Sequence, residues 1–161
     1  MALFLSRSVH KVDKKGRVSV PSGFRAALGD ELTQGLALNM PLVGFQCIEA
    51  SPYSKIDERI AKLDELPTDE TEGMSLAHQL LGTMATVNFD SEGRIILPEF
   101  LIEYAQIKDS ATFVGLGRTF QIWEAEALAE HDIVTRGIAR ENIQMLRKKA
   151  GTTPSEPEPE A

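Results

Sequence analysis

Residues 12–25 read VDKKGRVSVPSGFR, and residues 89–102 read FDSEGRIILPEFLI. Both follow one pattern: an apolar residue, Asp, two variable residues, Gly-Arg, an apolar-x-apolar run, then Pro. Asp13, Gly16, Arg17 and Pro21 recur 77 residues later as Asp90, Gly93, Arg94 and Pro98. A second match, FQCIEA at 45–50 and FQIWEA at 120–125, has an offset of 75. A unit of about forty residues is therefore written twice, with two extra residues in the first copy's middle loop, and a repeat of this length organises everything read after it.

Within each copy the pattern predicts two short strands, a helical turn and two more short strands. Val9 and Val12 lead into DKKG, where Gly16 supplies the positive φ of a tight hairpin turn, and Val18 and Val20 alternate out of it. Pro21 suits a helix start because its missing N–H would be unpaired there in any case, so SGFRAAL is expected as a short helix ended by Gly29. LALNM and GFQCIEA follow as strands. The second copy supplies TMATVNFD, GRIIL, the helix PEFLIEYA, ATFVGL and TFQIWEA in the same order.

Helices are expected between and after the copies. Ser51-Pro52 suits a cap and first position, and Ile56, Ile60 and Leu63 mark one face of a helix that stops at Leu66-Pro67. Leu76, Leu80 and Leu81 suggest another. After Trp123 the composition is helical, with Gly137 expected to break or bend the segment. The domain reading is a first copy at 7–51, a second at 83–126, a helical segment at 127–149 and a Pro- and Glu-rich tail at 150–161, which is expected to be disordered.

The formal charge is −7, an unpromising sum for a partner of phosphates. Its distribution is uneven. Between residues 7 and 25 the cations Arg7, Lys11, Lys14, Lys15, Arg17 and Arg25 face one acid, Asp13, whereas between 88 and 105 Arg94 stands against Asp90, Glu92, Glu99 and Glu103. In both copies the Asp and Arg suit an ion pair that fixes the turn. Lys14 and Lys15 repel each other at the first tip and contribute nothing to folding, although a merely solvated tip tolerates them. A basic two-stranded ribbon can enter a major groove, with Lys on phosphates and Arg on guanine, and one such module needs multiplication to bind well.

Other chemistries lack their residues. His10, His78 and His131 have no metal-ligand spacing, the lone Cys47 allows neither a disulfide nor a cysteine cluster, and no nucleophile or phosphate-loop motif is present, so no enzyme, metal or cofactor is expected. Glycines in GLGRTF read as turn residues, Cys47 as core, and Trp123 as a core or interface anchor. With too short an apolar run at the start for a signal peptide and no run of about 18 apolar residues, a soluble cytoplasmic protein without membrane contact is expected.

Taken together, VDKKGRVSVPSGFR, FDSEGRIILPEFL and the GLGRTFQIWEAEAL run resemble the MraZ family of bacterial transcriptional regulators, over about residues 6–147. The resemblance implies an α+β fold of two tandem swapped-hairpin SpoVT-AbrB domains closing a pseudo-dimeric β-barrel, ring-shaped homo-oligomers, a nucleoid-associated location, and binding to repeated double-stranded DNA boxes upstream of the cell-division and cell-wall genes. It places DNA contacts at Lys15 and Arg17, while Lys14, Lys11 and Arg7 join them on charge alone. Asp13, Gly16, Asp90, Gly93 and Arg94 are assigned to building the hairpins. Glu92 stands where Lys15 does, so one reading hairpin per protomer is expected. The competing readings are an AbrB-like antitoxin-type regulator and a structural or adaptor oligomer that meets an acidic protein surface.

Overall fold

A computed structural model describes residues 3–67 and 69–151, without the side chains of 149–151. The chain divides into two compact units, Met1–Ala127 and Leu128–Ala161. All strands belong to the first: β1 (Arg7–Lys11), β2 (Arg17–Ser19), β3 (Leu36–Asn39), β4 (Ile48–Pro52), β5 (Ala85–Val87), β6 (Arg94–Ile96), β7 (Ser110–Gly115) and β8 (Phe120–Trp123). Helices α1 (Ser22–Leu28), α2 (Lys55–Glu65), α3 (Glu70–Leu80) and α4 (Glu99–Ala105) complete it, and α5 spans Ala125–Gly151. The fold is α+β.

Every pairing is antiparallel, and the two copies interlock. One sheet runs β1-β7-β8-β4-β3-β5 and a separate ribbon pairs β2 with β6. Exchanging each strand for its repeat (β1 with β5, β2 with β6, β3 with β7, β4 with β8) reverses the six-strand order onto itself. Between the copies register obeys the same exchange: Val18 faces its own equivalent, Ile95, and Val9↔Thr112 is matched by Ala37↔Thr86, whereas within the copies it shifts by three residues, Thr112 facing Trp123 but Ala37 facing Ser51. The repeat is thus an internal pseudo-twofold, and β1 and β5 pair with strands of the opposite copy, as do β2 and β6.

This partnership changes the expected local hairpin. β1 and β2 flank the first turn but share only a single bridge, Val12↔Val18, because β1 takes β7 as its partner and β2 takes β6. Unpaired strands would leave their N–H and C=O groups unsatisfied, so each copy's hairpin is completed by the other. The core follows from the alternation: Val18, Val20, Ile95 and Leu97 are buried with Phe24, Leu101, Phe113 and Phe120, and Phe4 joins the aromatic cluster at 5.0 Å from Phe120 and 5.4 Å from Phe24. The two extra residues of the first copy fall between α1 and β3, a stretch that contains a 3-10 turn, Gly29–Gln34.

Two helix expectations are corrected. Ser51-Pro52 does not start a helix; both residues extend β4, paired with Ala37 and Leu36, and α2 begins at Lys55. The ladder outcompetes the cap because β4 lies between β3 and β8 and its backbone groups need partners. Gly137 does not interrupt α5, which is continuous through it; the neighbours Thr135, Arg136, Ile138, Ala139 and Arg140 all accept helical geometry, and a lone glycine costs only about 1 kcal/mol. From residue 152 the acidic tail lies outside the described residues. Among those described, no helix is long and apolar enough to cross a membrane.

Candidate nucleic-acid interface

The Asp-x-x-Gly-Arg turns owe their form to one carboxylate. Asp13 Oδ1 accepts the backbone N–H groups of Lys15 and Arg17, both at 2.9 Å, and Oδ2 accepts Arg17 Nε at 2.7 Å. The backbone closes the loop through Gly16 N to Asp13 O and Asp13 N to Arg17 O, each 3.0 Å. The second copy repeats this: Asp90 Oδ1 takes Glu92 N and Arg94 N at 2.9 Å, and Oδ2 takes Arg94 Nε at 2.8 Å. An Asp is needed because both oxygens are used, and glycine because φ is +83° at Gly16 and +77° at Gly93. The N–H groups of Arg17 and Arg94, ahead of the guanidinium contacts, hold Asp13 and Asp90 below the usual carboxylate range.

The geometry is shared but the charge is not. Arg94 Nη2 meets Glu92 Oε2 at 3.1 Å, a second acid on the same guanidinium. At the corresponding place beside Arg17 stands Lys15, and Arg17 pairs only with Asp13 among the described residues. Lys14 and Lys15 are exposed at the tip, as are Ser91 and Glu92 at the other. One turn therefore presents cations, whereas the other closes its charges on itself.

Both arginines lie on the outer face of the β2–β6 ribbon, since Val18 and Ile95 take the inner one. Arg17, Ser19 and Arg94 line one concavity of about 580 Å³ with Lys11, Asp13, Asp109 and Ser110. Of the residues expected to contact DNA, the structure brings Lys11 and Arg17 into this surface and sets Lys14 and Lys15 at the adjoining tip. It does not bring Arg7 there: Arg7 begins β1 opposite Val114, at the far end from Lys11, and borders a separate hollow with Leu5, Pro21 and Phe24.

Arg25 is the placement that sequence reasoning missed. It counts toward the basic run, yet it leaves the first turn, donates from Nε to Val20 O at 3.1 Å and lies over Gly93 of the second turn. No local pattern signals this, because Gly93 is 68 residues away in the chain. Cys47 is fully buried, and burial pushes its thiol up to about 12. Trp123 is buried as well and donates Nε1–H to Gln121 Oε1 at 2.7 Å.

Residues 80–140 match the family described as "MraZ protein, putative antitoxin-like". The chain is 37% identical over 147 residues to the "Transcriptional regulator MraZ" of Rickettsia akari (strain Hartford), which covers 91% of this chain and 98% of that protein. The protein of the same name from Rickettsia rickettsii (strain Sheila Smith) matches to the same extent. The one from Gluconacetobacter diazotrophicus is 43% identical over 129 residues, 79% of this chain and 82% of its own length. A likeness that covers 91% of this chain and 98% of such a relative shows that the chain belongs to the MraZ family.

Proposed function

We propose that the chain is a sequence-specific DNA-binding regulator of transcription, and that each protomer reads DNA through its first turn. The observation that carries this is the contrast between two turns of one geometry: Lys15 extends the cationic edge of Arg17, whereas Glu92 claims the outer edge of Arg94. An exposed Lys-Lys tip beside an arginine suits phosphates and a guanine edge, and it persists in a chain of net charge −7.

One such turn makes few phosphate contacts, so affinity is raised by homo-oligomers that match repeated boxes, in the form of a ring. Exposed Ile133, Ile138 and Leu146 on α5 support association between copies. The sites proposed are boxes upstream of the cell-division and cell-wall genes, including the chain's own gene, with repression as the outcome and the nucleoid as the location. The relatives' name, transcriptional regulator, supports this reading.

Gel shifts on the promoter region of the chain's own gene test it. Lys15→Ala and Arg17→Ala should lose binding while the oligomer stays intact; Arg94→Ala should lower stability or assembly first. Because Arg17 also braces its own turn, Lys15→Ala is the cleaner variant. Wild-type affinity in both first-turn variants would sink the reading.

A further inference from the structure

At the opposite end of β7 from the Asp13 turn lies a second group of cations. Lys55, Arg59 and Lys62 occupy one face of α2, since they are spaced four and three residues apart. With Glu58 they face Arg118 and Thr119 of the β7–β8 loop and Ser51 of β4 across a concavity of about 210 Å³. The six residues of β7 put roughly 17–20 Å between this hollow and the first turn. All of these side chains belong to the unit Met1–Ala127.

Four cations surround one carboxylate here. Glu58 is mostly exposed and bound to Lys55 Nζ at 2.7 Å. That hydrogen bond first, and the charges of Lys62 and Arg118 further out, hold it below the usual carboxylate range. Arg59 Nη1 is buried yet has no hydrogen-bond partner among the described residues. A buried guanidinium nitrogen left unpaired is costly, so its persistence calls for an acceptor. Ser51 and Thr119 lie one position beyond the last β4–β8 pair, Ala50↔Phe120, and set two hydroxyls at the same mouth.

The repeat supplies an internal control. By the register of the sheet, where Ala37 faces Ser51 as Thr112 faces Trp123, the counterparts of Ser51, Arg118 and Thr119 are Trp123, Gln46 and Cys47. The β framework is therefore built equally well without a cation or hydroxyls at these places, and the cluster is not a requirement of the fold.

We propose that the hollow between α2 and the β7–β8 loop binds a phosphoryl group, held by Arg59 and Arg118 with Lys55 and Lys62 supplying charge and Ser51 and Thr119 donating hydroxyls. Guanidinium forks suit the paired oxygens of a phosphate. The volume falls below the roughly 300–1,000 Å³ of ordinary small-molecule pockets, so the group would be gripped while the remainder of its carrier projects outward. That carrier is either a small phosphate ester, which would make the hollow an effector site, or the backbone of a duplex.

Equilibrium dialysis of the full-length protein against radiolabelled orthophosphate in a chloride buffer tests this. Saturable binding is expected in the wild type and equally in the Lys14→Ala/Lys15→Ala double variant. Arg59→Gln and Arg118→Gln should each weaken it about tenfold or more. Arg118 is exposed on a loop, so its loss leaves the fold in place even where Arg59→Gln does not. Displacement of the label by glycerol phosphate marks a small ester as the carrier, and displacement by a duplex alone marks DNA. Absence of saturable binding at millimolar phosphate, or wild-type binding by Arg118→Gln, overturns the site. Since the Lys14 and Lys15 variant separates it from the first turn, either proposal can fail without the other.

Discussion

Arg25 of the first copy lies over Gly93 of the second, and in the reciprocal place Ile102 of the second copy lies over Gly16 of the first. Backbone bonds lock the same contact from both sides, Val20 N to Gly93 O at 3.1 Å and Leu97 N to Gly16 O at 2.9 Å. Each Asp-x-x-Gly-Arg turn is thus shaped by its own Asp and then seated on the other copy. The two seats differ in kind, with a movable guanidinium on one side and the Leu97 carbonyl with an aliphatic side chain on the other.

That difference ranks two substitutions. A Cβ at Gly16 would sit 2.8 Å from Leu97 O, which is backbone and cannot give way, whereas a Cβ at Gly93 would meet the Arg25 guanidinium at 2.5 Å, which can swing aside. Both positions also have positive φ, a strain of about 1–3 kcal/mol for alanine. Urea melts should show Gly16→Ala to be the more destabilised of the two. Adding Arg25→Ala should recover part of the Gly93→Ala loss and none of the Gly16→Ala loss; equal midpoints for the two glycine variants would contradict this geometry.

The turn carboxylates set a pH dependence. Asp13 and Asp90 have folded-state pKa values below their ordinary ones, so the stability they add is complete above the unfolded-state value of about 4. It is lost as pH falls through the depressed values. Melting temperature measured from pH 6 to pH 2 should decline over that window. Asp90→Asn should start lower at neutral pH and decline less steeply, and an unchanged slope would exclude Asp90 as a contributor.

Lys15 and Glu92 occupy equivalent places, which permits a charge exchange with little structural cost. Lys15→Glu gives Arg17 the partner that Arg94 already has, so the melting temperature should stay near wild type while DNA binding is lost. For Lys15→Ala, the log–log dependence of DNA affinity on salt should become shallower by about 0.9 for every protomer engaged. An unchanged salt slope would place Lys15 away from phosphate.

Helix α5 offers a stabilising change. An added Cβ at Gly137 meets nothing within 4 Å, and the residue lies inside a continuous helix. Gly137→Ala should therefore raise helix stability by about 0.4–1 kcal/mol, seen as greater helicity and a higher melting temperature. A fall in either would show that close packing at this glycine is needed in the assembled protein.

The features legible in the chain were those decided within a few residues. The two turns, the prolines that open α1 and α4, the glycine that ends α1 and the two-residue excess before β3 all rest on short-range sterics and hydrogen bonds. The Ser51-Pro52 helix start failed for a different reason. A good local cap lost to strand partners at Leu36 and Ala37, contributed by another stretch of chain.

By itself, then, the sequence determined that one module is built twice and that its two tips carry opposite charge, because carboxylate, glycine and arginine act on neighbours four residues away or fewer. Only the tertiary structure decided which strands pair across the copies, that Arg25 seats the second turn rather than serving the first, and that Arg59 and Arg118 meet around one hollow. Those relationships join residues about fifty to a hundred positions apart, and what brings them together is burial of the shared core and the need of every strand edge for a partner.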